Sequence, residues 1–181
     1  MAHILFIPGS LREASSSRAT ARALAARLPA GTTHDTVDPG RLPHYNADIK
    51  DDPEVAAFLE KLKGADGVVF VSPEYNYSIP GLLKNAIDWG SRPAFESPFK
   101  DKLCLIVSTS GGALGGVRAQ SHLKYVLNGM LARVHPCKEI VVPMANGKVV
   151  DGMLEDDAIL EFAEEVMGDF LSACKGGAAA G

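Results

Sequence analysis

The sequence predicts a single α/β domain in which a parallel β-sheet is covered by helices on both faces. Short apolar segments alternate with helical patterns along the whole chain of 181 residues. The apolar segments are continuous runs of Val, Ile and Leu, which are typical of strands that are buried on both faces. The length and the 46% content of hydrophobic residues also fit one ordinary globular domain.

The first half of the chain begins with a buried strand. The run HILFIP predicts this strand over His3–Pro8, and an Ala-rich segment predicts a helix over Ser16–Leu28. A weaker second strand is predicted over Thr32–Val37, after which Asp38–Asp52 is rich in turn residues. Apolar residues then recur on one face of a predicted helix over Glu54–Lys63. Helical connections of this kind are what parallel neighbouring strands require.

The same alternation continues through the centre of the chain. The run GVVFV predicts a third strand over Gly67–Val71, and a helix is predicted over Pro80–Trp89. Proline suits the first turn of that helix, where its missing N–H costs little. A fourth strand over Leu103–Ser108 precedes a helix from about Gly116 to Leu131. The apolar face of the helix at Pro80–Trp89 is compatible with a subunit contact and equally with burial in the core.

A fifth strand and a fifth helix complete the pattern. Ile140–Val142 lies in the fifth strand, which can begin near Val134. Apolar residues recur at helical spacing between Ile159 and Phe170 and predict the last helix. We therefore expect one domain over residues 1–174, followed by a low-complexity tail over residues 175–181.

Composition argues against several classes of function. The net charge is −4 and no run of Lys or Arg is present, so a nucleic-acid partner is not expected. The three cysteines are far apart and form no CxxC motif, which suits a reducing compartment. No signal-peptide pattern and no apolar run of about 20 residues is seen. We expect a cytoplasmic protein that binds no membrane.

The loop after the first strand predicts a phosphate site. Ligands of doubly wound sheets bind beyond the carboxyl ends of the strands, so the loops after strands one, three and four are the informative ones. Pro8–Arg18 offers Ser10, Arg12 and three further serines where a helix begins. Helix N-termini attract phosphate, and no dinucleotide or triphosphate motif is present, which favours a terminal phosphate monoester. The alternative is that the serines only cap the helix.

The loops after strands three and four predict a site for a flat ring. Tyr75, Asn76 and Tyr77 lie between two prolines, which restrict the loop so that a flat ligand need not order it. Alternatively, both tyrosines pack against neighbouring helices. Ser108–Gly116 contains four glycines among nine residues, so its backbone can approach a ligand closely, unless it is only a flexible connector.

Taken together, the three loops predict a ligand with one phosphate and one flat heteroaromatic ring, a description that FMN fits. The five histidines show no metal-ligand spacing, so no metal site is expected. No catalytic cluster of side chains is recognisable either. We therefore expect the bound cofactor to carry the chemistry.

Three segments resemble the NADPH-dependent FMN reductase family of flavodoxin-like proteins, which includes quinone, chromate and azo-dye reductases. They are GSLREASSSR at Gly9–Arg18, PEYNYSIPGLLKNAIDW at Pro73–Trp89, and SGGALGGVRAQ after the fourth strand. The resemblance implies a flavodoxin-like three-layer sandwich whose five-stranded sheet has the order 2-1-3-4-5. It also implies non-covalent FMN, NADPH or NADH as electron donor, and homodimers or homotetramers.

The resemblance further implies an activity and a set of site residues. Hydride would pass from NAD(P)H to FMN and then, in ping-pong fashion, to a small acceptor such as a quinone, chromate, an azo compound or free flavin. The residues implied for the phosphate are Ser10, Arg12, Ser15 and Ser17. Those implied for the isoalloxazine are Pro73, Glu74, Tyr75, Asn76 and Tyr77, with Ser110, Gly111 and Gly112 at its polar edge.

The sequence departs from the family pattern at two of these positions. Position 17 is often Asn in relatives but is Ser17 here, and position 111 is frequently bulkier than Gly111, so the ring face is expected to be more open. Outside the motifs, His44 and Tyr45 are candidate substrate contacts, with surface packing as the alternative.

Two other functions are compatible with the same sequence. A flavodoxin-type electron carrier would bind FMN without turning over NAD(P)H, although such carriers are usually more acidic than this chain. A regulatory protein that has kept the fold and lost the flavin is the other possibility, and the intact first and second loops argue against it.

Overall fold

The parallel β-sheet has the predicted strand order. A computed structural model describes residues 1–177, and its main sheet runs β2-β1-β3-β4-β5, which confirms the predicted order. The strands are β1 (His3–Pro8), β2 (Thr33–Thr36), β3 (Gly67–Pro73), β4 (Leu103–Thr109), β5 (Arg133–Val134) and β6 (Ile140–Val142). The helices are α1 (Ser16–Ala26), α2 (Pro53–Gly64), α3 (Gly81–Gly90), α4 (Val117–Gly129) and α5 (Asp157–Gly177).

The fifth strand is divided into two short pieces. Both β5 and β6 pair with β4 in parallel, β5 near the start of β4 and β6 near its end. The residues between them, 135–139, leave the sheet. This agrees with a fifth strand that begins near Val134 and includes Ile140–Val142.

Alternate residues of the central strands face two separate apolar cores. Ile4 and Phe6 of β1 belong to the core that α1 and α5 cover. Leu5 and Ile7 belong to the core under α2, α3 and α4. Since every residue of β3 and β4 is buried, both faces of the sheet are covered, as the continuous apolar runs predicted.

Helix α3 faces the core of its own chain. Leu83, Ala86 and Ile87 are at most 1% exposed, and all three lie in the core beneath α2, α3 and α4. Trp89 and Asn85 of the same helix bind the carbonyl of Pro43 at 2.8 and 2.9 Å. The apolar face of this helix therefore supports the fold directly.

The register of the parallel strands brings three loops to one edge of the sheet. Pro8, the last residue of β1, lies opposite Val71 of β3, and Gly9 N donates to the Val71 carbonyl at 2.9 Å. Pro73 and Thr109, the last residues of β3 and β4, lie opposite each other. The chain therefore leaves β1, β3 and β4 within two residues of the same level.

Two features near the C-terminus differ from the expected layout. A two-stranded hairpin, β7 (Val149–Val150) with β8 (Met153–Leu154), precedes the last helix. Helix α5 continues to Gly177, past the expected start of the tail, and residues 178–181 lie outside the described part of the chain. None of the five α-helices within residues 1–177 has the combined length and apolar character of a bilayer-spanning segment.

Gly67 allows β3 to lie close to α5. A Cβ at this position would lie 2.6 Å from Cζ of Phe170 and 2.7 Å from Sγ of Cys174. Because the Phe170 ring is completely buried, it has little room to move. We expect Gly67→Ala to lower the free energy of unfolding by about 1–3 kcal/mol, measured by urea denaturation.

Gly64→Ala is the matched control for this substitution. Gly64 ends α2 only three positions earlier in the sequence, and, apart from its chain neighbours and the backbone of its own helix, no atom lies within 4 Å of a Cβ built on it. We expect the control to leave stability unchanged or to raise it by about 0.4–1 kcal/mol. Equal stability of Gly67→Ala and wild type would contradict close packing at Gly67.

Candidate functional site

The first loop places several hydroxyl groups at the start of α1. Ser15 is the N-cap, and its Oγ accepts a hydrogen bond from Arg18 N at 3.3 Å. Ser10, which is only 3% exposed, accepts from Arg12 N at 3.3 Å. The first turn of α1 contains no acidic residue. This end of the helix therefore keeps the partial positive charge that favours an anion.

Arg12 brings a full positive charge to the same place. Its side chain is exposed, and its guanidinium forms no ion pair with any carboxylate of residues 1–177. Arg18, six positions later, is by contrast 3.7 Å from Asp38. Arg12 is therefore available to an anionic ligand.

The second loop is a tight turn that holds two tyrosines outward. Tyr75 and Ser78 exchange backbone hydrogen bonds of 2.9 and 3.0 Å across the turn. The two central residues, Asn76 and Tyr77, have φ values of 50° and 65°. A two-residue hairpin turn of type I′ requires this left-handed conformation at both central positions. A tyrosine in that conformation is strained by roughly 1–3 kcal/mol. The tyrosine rings are 46% and 67% exposed, so both are accessible to a ligand.

Glu74 fastens this turn to helix α4. Its Oε2 accepts hydrogen bonds from Arg118 N at 3.0 Å and from Ala119 N at 3.3 Å. These are the free N–H groups of the first turn of α4, whose N-cap is Gly116 and has no side chain to bind them. Glu74 thus serves as the cap of a helix that is distant in sequence.

Arg118 completes this connection. Its Nη1 lies 3.3 Å from Oε1 of Glu74, and its guanidinium carbon lies 4.3 Å from the centre of the Tyr77 ring. A cation at that distance over an aromatic face is attracted to it. Together these contacts hold Tyr77 in place and offset part of the strain in the turn.

The third loop is attached to the segment that follows β6. Ser110 N donates to the carbonyl of Val142 at 3.1 Å. In return, Met144 N donates to the carbonyl of Gly112 at 3.1 Å and Ala145 N donates to that of Ser110 at 2.8 Å. The glycine-rich loop is therefore fixed by backbone hydrogen bonds, contrary to the alternative of a flexible connector.

All three loops line a single cavity of about 190 Å³. Side-chain contacts cross it: Ser10 Oγ lies 3.5 Å from Tyr75 Oη, and Ser16 Oγ donates to Thr109 Oγ1 at 3.3 Å. A larger cleft of about 490 Å³ lies beside Tyr45 but contains no residue of the three loops. The residues of the loop cavity are Ser10, Arg12, Ser15, Ser16, Pro73, Glu74, Tyr75, Thr109, Ser110, Gly111 and Asn146.

Eight of the residues that the sequence indicated for the cofactor line this cavity, and four do not. Ser17 is completely buried and its Oγ lies 2.9 Å from Oγ of Ser15, so it supports the cap from behind while Ser16 lines the cavity. Asn76 and Tyr77 lie on the exposed turn just beyond it. Gly112 N is bonded to Ser110 Oγ at 3.1 Å, at the base of the third loop.

Three lining residues were not among those assigned to the cofactor from the sequence: Ser16, Thr109 and Asn146. Ser16 and Thr109 lie within the loops that were singled out, and their hydroxyls were the available signal. Asn146 lies in the turn after β6, where no motif pointed to it.

The two candidate substrate residues lie elsewhere. His44 is exposed, and Tyr45 packs edge-on against Trp89 with 5.0 Å between the ring centres. The Tyr45 hydroxyl accepts a hydrogen bond from Arg92 at 3.0 Å. Tyr45 thus lines the cleft between α2 and α3, outside the loop cavity.

Titratable groups with displaced pKa values lie away from the loop cavity. Burial raises the pKa of the Cys174 thiol to about 11 and lowers that of the Lys102 ammonium, near the amino ends of β3 and β4. Within residues 1–177, no three His, Cys, Asp or Glu side chains are grouped as metal ligands. What the loop cavity offers is hydroxyl groups, backbone N–H groups, one cation and the ring of Tyr75, a set suited to holding a phosphorylated aromatic cofactor.

Comparison with known proteins agrees with this arrangement. Residues 2–147 match the family described as NADPH-dependent FMN reductase. The chain is 38% identical over 168 residues to an NAD(P)H-dependent FMN reductase of Pseudomonas aeruginosa, covering 90% of this chain and 89% of the relative. It is 48% identical over 125 residues to a 2-hydroxy-1,4-benzoquinone reductase of a Burkholderia species, covering 68% of each.

Solved structures show the same fold. FerB of Paracoccus denitrificans, a flavoenzyme NAD(P)H:(acceptor) oxidoreductase, superposes with a TM-score of 0.86 at 27% identity, covering 97% of this chain and 98% of FerB. A flavodoxin, WrbA-like protein of Agrobacterium tumefaciens superposes with a TM-score of 0.60 at 18% identity, covering 97% and 98%. The chain therefore belongs to the NADPH-dependent FMN reductase family, a group of flavodoxin-like oxidoreductases that use FMN and NAD(P)H.

Proposed function

We propose that this protein is an FMN-dependent NAD(P)H oxidoreductase that passes electrons in ping-pong fashion to a small acceptor, a quinone in the first instance. The observation that carries the proposal is the single cavity in which Arg12, Tyr75 and Gly111 meet. Quinones are favoured because relatives of the chain are named quinone reductases, including one of Escherichia coli at 38% identity over 151 residues. Chromate, azo compounds and free flavin remain further candidates.

The first loop would hold the phosphate of FMN. Arg12 supplies a cation without a carboxylate partner in the described chain, and Ser10, Ser15 and Ser16 supply hydroxyls at the start of α1. The backbone N–H groups of the first turn of α1 complete the set of donors. Ser17 would act indirectly, through its contact with Ser15.

The second and third loops would hold the isoalloxazine. Pro73 and Tyr75 line the cavity, and the exposed rings of Tyr75 and Tyr77 offer aromatic surface. Asn76 would contribute by fixing the turn, and Ser110, Gly111 and Gly112 would approach the polar edge of the ring. Ser110 N and Gly112 N are already bonded to the Val142 carbonyl and to Ser110 Oγ, so these bonds hold Gly111 in place before a ligand binds.

The residues of this chain would bind and orient the cofactor. The bound FMN would supply the chemistry of hydride and electron transfer. The Glu74 carboxylate is engaged by Arg118 and by two backbone N–H groups, so its role is positioning. Exposure of Tyr75 and Tyr77 leaves the site open to solvent. An open site lets a nicotinamide leave before the acceptor binds, as a ping-pong sequence requires.

We also propose that the protein works in the cytoplasm as a homodimer or homotetramer. Cys104, Cys137 and Cys174 are free thiols, which suits a reducing compartment. Leu11, Leu114 and Met144, on the loops around the cavity, are each more than half exposed. Large apolar side chains that are exposed in one chain are the kind of residue that a contact between subunits buries.

The Arg12→Ala substitution tests the phosphate site. A hydrogen bond to a charged group contributes roughly 1.5–3 kcal/mol. We therefore expect the affinity for FMN to fall about 10- to 150-fold, measured by titrating the apo-protein with FMN and following flavin fluorescence.

Arg27→Ala is the control for that titration. Arg27 forms a partly exposed ion pair of 2.7 Å with Glu164 and is not part of the loop cavity. Its replacement is expected to leave FMN affinity unchanged. Unchanged affinity in Arg12→Ala would remove Arg12 from the phosphate site.

Anaerobic reduction followed by steady-state kinetics tests the activity. We expect the FMN-loaded protein to lose its flavin absorbance on addition of NADPH, and to oxidise NADPH continuously when a quinone is added. Initial rates are measured against NADPH concentration at several fixed quinone concentrations. The double-reciprocal plots should be parallel lines, the pattern of ping-pong turnover.

The other outcomes of this experiment identify the competing functions. FMN binding without NADPH oxidation would favour an electron carrier. A protein that stays colourless after incubation with FMN would favour a regulatory role. A comparison of NADPH with NADH in the same assay gives the donor preference.

Light scattering coupled to size-exclusion chromatography tests the assembly. We expect a mass of two or four chains, and a shift toward a single chain for Leu114→Glu, because a charge would be placed in the contact. Val150→Glu, at a residue 46% exposed on strand β7, is the control and should leave the mass unchanged. A wild-type protein that elutes with the mass of one chain would contradict the assembly.

A further inference from the structure

Asn146 lines the loop cavity from a part of the chain that none of the sequence motifs includes. It lies in a short helical turn, Ala145–Lys148, that follows β6. The cavity wall at this point is completed by Ser110 and Gly111 of the third loop. Asn146 is therefore a neighbour of the residues proposed for the polar edge of the isoalloxazine.

The Asn146 amide lies in tight contact with the position that a Cβ at residue 111 would take. A Cβ built on Gly111 would lie 3.0 Å from Nδ2 of Asn146 and 3.7 Å from its Cγ. Apart from residues 110–112 themselves, no other residue of the described chain has an atom within 4 Å of that position. The polar amide of Asn146 thus stands where a larger residue 111 would place its own side chain.

The position of Asn146 is fixed by its neighbours. Ala145 is completely buried, and its N–H donates to the carbonyl of Ser110 at 2.8 Å. Gly147 N donates to the carbonyl of Met144 at 3.1 Å and closes the turn. The backbone of Asn146 is therefore held against the third loop before any ligand binds.

The amide of Asn146 is free to bind a ligand. It has two N–H donors and one carbonyl acceptor, and none of them forms a hydrogen bond with another residue of the described chain. The edge of a flavin pyrimidine ring carries carbonyl acceptors and an N–H donor. An amide is complementary to that combination, whereas a hydrocarbon side chain is not.

We propose that Asn146 hydrogen-bonds the polar edge of the isoalloxazine, and that Gly111 is required to leave room for it. This inference rests on the proposed function, since it assigns one more residue to the same site. Asn146 is then a cofactor-contacting residue that sets both the affinity for FMN and its midpoint potential. Donation from Nδ2 strengthens when the ring gains negative charge on reduction.

The test compares Asn146→Ala and the isosteric Asn146→Leu with wild type. The loss of a neutral hydrogen bond is expected to weaken binding of oxidised FMN about 2- to 12-fold, measured by fluorescence titration. Binding of reduced FMN should weaken by a further factor of roughly 5 to 10, because that bond is charge-assisted. This difference corresponds to a midpoint potential lower by about 20–30 mV, measured by dye equilibration.

Val150→Ala is the matched control. Val150 follows Asn146 by four residues on strand β7, is 46% exposed and does not line the cavity. The control should leave both the FMN affinity and the midpoint potential at wild-type values.

Gly111→Ala tests the steric half of the proposal. Its Cβ would lie 3.0 Å from Nδ2 and would shift the Asn146 amide by a few tenths of an ångström, so the single variant should show part of the loss seen in Asn146→Ala. In the Asn146→Ala background the same change should have little further effect. Additive losses in the double variant would contradict a shared space, because independent sites add.

The outcomes separate this inference from the function on which it rests. Failure of the wild-type protein to bind FMN would overturn the proposed function and this inference with it. Normal FMN binding by wild type, with unchanged affinity and potential in both Asn146 variants, would overturn the role of Asn146 alone. Loss of affinity with an unchanged potential would overturn the charge-assisted bond.

Discussion

The parallel pairing of β1, β3 and β4 is the constraint on which the candidate site depends. The loops that follow these three strands leave the sheet at the same edge, within two residues of the same level. Ser10 and Gly111, which are 101 positions apart in sequence, therefore face one cavity. The two apolar cores hold the strands in this register, because a slip of one residue would turn every buried side chain to the opposite face.

The site is held rigid by contacts of its loops with other parts of the chain. Glu74 caps α4 and holds Arg118, which in turn stacks on Tyr77. The glycine-rich loop is bound to the turn after β6 by backbone hydrogen bonds. A ligand that enters such a site does not need to order it, so less of its binding energy is lost to conformational entropy.

Most of the fold could be predicted because buried parallel strands leave a strong sequence pattern. Part of the site could be predicted as well, because strands that run in one direction bring Ser10, Arg12 and Tyr75 together. What could not be predicted depends on finer geometry. Ser16 and Ser17 are chemically identical neighbours, and only the rotation of about 100° per helical residue decides which one faces the cavity. Asn146 reaches the site through tertiary contacts, and the two-residue strands of the β7–β8 hairpin are too short to show periodicity.

The turn at Asn76 and Tyr77 has a consequence for how such a chain can change over evolutionary time. Glycine suits the second central position of this hairpin type better than tyrosine does, because it has no Cβ to disfavour a positive φ. A substitution to glycine at position 77 is therefore the change that would stabilise this turn most simply. Such a change would relieve the backbone but would also remove the ring over which the Arg118 guanidinium lies.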